Sequence, residues 1–221
     1  MDWQALHLSL ALGGLTVLIL LPLALLLGRW LATTRLRWRA VIEALVTLPL
    51  VLPPTVIGFY LLSGMGPNSV TGQTWAAVTG GSLAFTFEAV LIASVIVNLP
   101  FAVQPTQRAF EAIGQDLRDA AATCGHSGWA SLVRIELPLA WPGLATGGAL
   151  AFAHTLGEFG VVLMVGGSIP GETRTLALSI YDRVQAFDMA SANRMALFLM
   201  AISLVTVTIT FLLSGRRRAH G

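Results

Sequence analysis

Residues 105–138 read PTQRAFEAIGQDLRDAAATCGHSGWASLVRIELP, a polar stretch set between two long apolar runs. Phe110, Ile113, Leu117 and the pair Ala120/Ala121 recur at the three-and-four spacing of one helical face, which predicts a helix here. Gly125 supplies the left-handed residue that ends it. Ser127 is a suitable N-cap for a second short helix with Trp129, Leu132 and Val133 on one side. Pro138 is expected to stop that helix, because the residue before a proline is pushed out of the helical region. The stretch reads as helix, glycine turn, helix and proline, hung between membrane spans.

Composition fixes the class. A chain of 221 residues that is 55% hydrophobic and 11% charged does not have a soluble balance. Uncharged runs of about 20 residues make it an integral membrane protein, with the lipid bilayer as its first partner. No nucleic-acid partner is expected. The single cysteine, Cys124, cannot form an intrachain disulfide. All thirteen basic residues are arginine. A phosphate-binding P-loop needs a lysine, and so does Schiff-base chemistry, so neither belongs to this chain. If ATP drives the protein, another subunit binds it.

The chain reads as one all-α membrane domain, residues 1–221, with spans at 8–28, 44–62, 83–103, 139–156 and 195–213. Only Asp2 carries a charge before the first span, unlike the basic start of a signal peptide, so this helix is expected to be retained. Pro49, Pro53 and Pro54 predict a kinked or interrupted second span. Glu88 falls near the outer end of the third, within reach of headgroups or water. Gly143, Ala145, Gly147, Gly148, Ala149 and Ala151 give the fourth a surface on which helices can approach closely. Residues 177–187 are read as a short amphipathic helix at the outer interface. Arginines 29, 35, 37, 39, 108, 118, 134, 216, 217 and 218 fall on one side and 174, 183 and 194 on the other. By the positive-inside bias, the N-terminus lies outside and the C-terminus in the cytoplasm.

Asp119-Ala120-Ala121, then Gly125, Ile135 and Leu137-Pro138 at their spacing, resemble the cytoplasmic loop signature of ABC-importer permeases. That family usually has Glu where Asp119 stands. The resemblance implies a type I permease fold of five transmembrane helices, whose cytoplasmic coupling-helix loop (105–138) sits in a groove of an ATPase subunit. Small alanines suit such a contact, since they let a partner surface approach the backbone. The stretch LPLVLPPTVIGFYLL (48–62), and LGEFG (156–160) with residues 169–175, resemble molybdate permeases within that group. The implied function is the permease subunit of an ABC importer for molybdate, in the bacterial cytoplasmic membrane. Implied partners are a second copy of the chain, two ATPase subunits that use ATP and Mg, and a periplasmic or extracellular molybdate-binding protein. No cofactor is expected on this chain. A sister permease for tungstate or for sulfate/thiosulfate is the alternative, followed by a secondary transporter or an intramembrane enzyme.

Pro53, Pro54, Thr55, His154 and Glu158 are the candidate pathway or gate residues. His154 and Glu158, four apart, share a helix face. One histidine and one carboxylate are too few ligands for a metal site, so the pair is expected to line a gate or the outer mouth, with no catalytic residue. No arginine lies inside a span, so anion selection is expected from the binding protein. Backbone N–H groups near Pro53-Pro54 or Gly147-Gly148 would supply transient positive charge.

Overall fold

The structure is a computed structural model in which residues 1–215 are described. In chain order its helices are α1 (Trp3–Thr33), α2 (Arg39–Val51), α3 (Pro54–Met65) and α4 (Val70–Thr79). Then come α5 (Phe87–Glu111), α6 (Gln115–Thr123), α7 (Gly128–Ser131) and α8 (Leu137–Gly157). The last are α9 (Gly160–Gly166), α10 (Leu176–Gln185) and α11 (Met189–Gly215). Among the described residues there is no strand. The arginines 216–218 used for the C-terminal orientation lie outside the described residues.

Three of these helices, α1, α5 and α11, are long and apolar enough to cross a membrane, and two bent pairs bring the crossings to five if each pair counts once. α1 starts at Asp2, whose Oδ1 accepts the Ala5 N–H at 3.0 Å, while Oδ2 accepts the Ser179 hydroxyl at 2.9 Å. Burial raises the Asp2 carboxyl, but these bonds and the Arg174 and Arg183 charges outweigh it and hold its pKa below the usual range. The N-terminus is thereby pinned to α10. At 31 residues, α1 is roughly 46 Å long, which exceeds the ~30 Å hydrocarbon core. It therefore extends beyond the predicted 8–28, and its last turns carry Arg29.

α1, α5 and α8 form the central body, with Leu20, Ala24, Leu31, Ala102, Val103 and Ala151 buried between them. Close approach sets their spacing. A Cβ on Gly143 would lie 2.6 Å from the Pro105 carbonyl oxygen, and one on Gly147 would lie 2.7 Å from that of Ala102. In a bilayer this van der Waals fit takes the place of the hydrophobic drive. Gly147 and Gly148 thus sit inside an unbroken helix against neighbours, and the idea that backbone is freed there for an anion is corrected. Gly147→Ala is expected to destabilise the purified chain by about 1–3 kcal/mol, read as a lower thermal midpoint in detergent. An unchanged midpoint would mean that the α5 backbone can yield.

Several expected boundaries move. The second span is two helices, α2 and α3, bent by 109°. Leu52 and Pro53 are extended between them, whereas Pro49 is absorbed within α2. The third begins at Phe87 instead of 83, capped by Thr86, and runs through Pro105 to Glu111. The first residues assigned to the coupling loop, 105–111, are therefore the last turns of α5. α4 is an additional helix between the second and third predicted spans; it is capped by Ser69 and closed by the left-handed Gly80. α10 occupies the segment expected to be amphipathic, and α11 starts six residues before the predicted 195, with Asp188 Oδ1 accepting the Ser191 N–H at 3.1 Å.

Candidate functional site

The polar loop is built by local chemistry. α6 ends in a Schellman turn: Gly125 has φ +79°, its N–H bonds to the Ala122 carbonyl at 3.0 Å, and the His126 N–H to that of Ala121 at 3.1 Å. Ser127 caps α7, its Oγ accepting the Ala130 N–H at 3.2 Å. Both features agree with the sequence reading. The continuous helix from Phe110 to Ala121 does not. α5 stops at Glu111 and α6 starts at Gln115, so Phe110 and Ile113 belong to the core beneath α5 while Leu117 is 42% exposed.

Pro138 also departs from expectation, since it does not stop a helix. Residues Leu132–Glu136 form a π turn in which the Leu137 N–H bonds to the Leu132 carbonyl, and α8 continues directly through Pro138. The wide turn gives the proline ring room that a regular α turn denies it. Of the three apolar residues Trp129, Leu132 and Val133, Leu132 is buried and the other two are exposed.

Of the residues expected to form the coupling loop, Asp119, Ala120, Gly125 and Pro138 are exposed, Ile135 and Leu137 are half-buried, and Ala121 is buried. Asp119 accepts a bond from Gln115 Nε2 at 2.9 Å. The result is an exposed corner of two short rods at the end of the α1–α5–α8 body. Sequence reasoning missed what ties it there. Glu136, 1% exposed, is gripped by Arg29 through Nε (3.0 Å) and Nη2 (2.8 Å), and lies 3.6 Å from Arg118. Arg118 also donates to the Phe110 and Ile113 carbonyls at 2.8 and 2.9 Å, at the end of α5. The 107-residue separation of Arg29 and Glu136 left no sequence signal.

The second candidate region is where the two bends meet. α8 turns by 64° into α9 at Glu158 and Phe159. A Cβ on Gly160 would lie 2.8 Å from Pro54 Cβ, and one on Gly58 would lie 2.6 Å from Met164 Cβ, so α3 and α9 interlock. Pro53, Pro54 and Thr55 are exposed at this crossing. Glu158 is not on the helix face assigned to it. It is the extended residue after α8, and its buried carboxylate caps α9 by accepting the Val161 N–H at 3.2 Å. Its other oxygen is 3.8 Å from His154 Nδ1. That nitrogen lies closer to Asn98 Oδ1, at 3.1 Å, and the ring stacks on Phe101 with centroids 4.3 Å apart. Asn98 and Phe101 are thus partners of His154 that spacing did not reveal. The start of α2 is fixed to the end of α5 by Arg39, which bridges Glu43 and Glu111.

A bundle of apolar helices with two bent crossings and an exposed polar corner at one end has the makeup of a polytopic membrane subunit. The family model described as the binding-protein-dependent transport system inner membrane component matches residues 21–219, and the chain belongs to that family. More particularly, it is 49% identical over 195 residues to the molybdenum transport system permease protein ModB of Azotobacter vinelandii, covering 88% of this chain and 86% of the relative. It is 34% identical over 181 residues to the sulfate transport system permease protein CysT of Escherichia coli, covering 81% and 65%. Among solved structures, a bacterial alginate ABC transporter in complex with its alginate-bound periplasmic protein matches with a TM-score of 0.77. At 19% identity, covering 96% of this chain and 78% of that one, it shows the fold alone. The chain is a multi-pass inner-membrane permease of the ABC importer type.

Proposed function

We propose that this chain is the membrane-spanning subunit of an ABC importer that brings molybdate into the cell. The observation that carries the mechanism is the exposed corner α6–Gly125–α7, fixed to the end of the central body by ion pairs. The 49% identical molybdenum permease supports the cargo. The chain works as a homodimer with two ATPase subunits, which use ATP and Mg, and with a soluble binding protein on the outer side. Its N-terminus is outside and its C-terminus cytoplasmic. Closure of the ATPase pair displaces the two corners, and each body carries that displacement to the crossing of α3 and α9. ATP shifts the equilibrium only as far as the closed ATPase pair prefers one permease state over the other.

Cargo selection belongs to the binding protein. The crossing presents the N-terminus of α3 and no arginine, which gives a weak, passing attraction for an anion; conduction requires weak sites. Tight molybdate binding to the isolated chain would refute this part. Sulfate is the second reading, because the sulfate permease is also similar. The test is reconstitution with the ATPase and binding protein, measuring ATP turnover with molybdate, tungstate and sulfate in parallel. Molybdate is expected to stimulate turnover most, and the chain alone is expected to move nothing. Stimulation by sulfate but not molybdate would overturn the cargo assignment.

A further inference from the structure

α6 has little apolar hold on the body. Ala121 is its buried residue, and Leu117, the large apolar side chain on its expected inner face, is half in water. Its attachment is polar and runs through one guanidinium. Arg118 spans from the middle of α6 to the last carbonyls of α5 and to Glu136. Glu136 is an uncommon place for a carboxylate, since an acid is almost never fully buried without partners. Its partners come from separate elements. Arg29 at the inner end of α1 makes a bidentate pair, Arg118 approaches from α6, and the Ser131 hydroxyl lies 3.4 Å away at the end of α7. Through the π turn, Glu136 is continuous with α8. The carboxylate thus links α6 to α1 and α8, and the Arg118 guanidinium adds the end of α5.

An apolar contact of the same area would hold α6 but let it slide. Arg118 instead fixes α6 in direction by two hydrogen bonds to the Phe110 and Ile113 carbonyls and an ion pair at 3.6 Å with Glu136, which the bidentate bonds of Arg29 hold in place. We propose that Glu136 is the positioning residue that makes the ATPase-contacting helix α6 and the α1–α5–α8 body move as one piece, with Arg29 and Arg118 as the jaws of the clamp. This rests on the reading of α6 as the coupling element. Removing the carboxylate strands Arg29 and takes the counter-charge from Arg118, and removing Arg118 releases α6 while leaving the Arg29–Glu136 pair intact.

The test uses the complete complex in proteoliposomes and reads ATP hydrolysed per molybdate imported. Glu136→Gln and Arg118→Gln are each expected to raise that ratio about tenfold, within the usual range of coupling between sites. Arg118→Lys, which keeps the charge, is expected to recover part of the loss. A merely structural role would lower the amount of complex recovered and leave the ratio alone. If Glu136→Gln does not assemble, Arg118→Gln decides alone. A wild-type ratio in Arg118→Gln overturns the clamp. A wild-type complex that hydrolyses ATP without importing molybdate overturns instead the functional reading beneath it.

Discussion

Replacing Gly125 with proline is expected to cut transport at least about tenfold while the chain still inserts and its helices still pack. Space is not the difficulty, because a Cβ at Gly125 would meet nothing within 4 Å. Conformation is. The residue sits at φ +79°, and proline is held near −65°. Its N–H, which bonds to the Ala122 carbonyl, would be lost as well. Cys124 before it has φ −78° and ψ 6°, a geometry that a following proline disfavours. A penalty of about 3 kcal/mol depopulates the native corner roughly a hundredfold. The buried contacts among α1, α5 and α8 lie elsewhere, so insertion is spared. Gly125→Asn is the control, since asparagine tolerates the left-handed region; it is expected to keep most of the transport. Molybdate uptake in proteoliposomes, with membrane content checked by immunoblot, measures both. Undiminished uptake in the proline variant would remove the corner from the mechanism.

That corner was legible because its determinants are local. A left-handed glycine and a serine cap are read from adjacent residues, and both stand where spacing put them. Legibility failed wherever a neighbour distant in sequence decided the outcome. The apolar period through Phe110, Ile113 and Leu117 ran on as one helix. The chain breaks there because Ile113 drops into the core under α5, and the Arg118 guanidinium satisfies the carbonyls left open. Arg29 was counted only as a positive charge at a membrane edge, although its work is to hold a glutamate from a remote segment. Proline had opposite outcomes at two sites. Pro53 and Pro54 break their span because Leu52 is free to extend. Pro138 breaks nothing, because a π turn ahead of it makes room. No local rule separates those two cases.

Glu158→Leu is expected to abolish transport, whereas Glu158→Gln keeps most of it. The i,i+4 spacing of His154 and Glu158 found the right neighbours but the wrong role, for the carboxylate has left the helix and turned back to cap the next one. Glu158 and Val161 are buried, so no water readily replaces a lost acceptor and a stranded N–H costs several kcal/mol. Glutamine still offers an oxygen to Val161; leucine offers none. Without that acceptor α9 either frays or straightens onto α8, and both lose its grip on α3. Val161 and Val165 pack with Ile57 in a shared cluster, and Met164 seats against Gly58. The bend of α8 and the bend of α2 into α3 are therefore one device with two halves, and releasing the cap unlatches both. Uptake assays on the two variants separate acceptor from charge. If glutamine is as inactive as leucine, the negative charge and not the bond is what matters. If both variants transport normally, packing alone holds the crossing, and the capping argument fails.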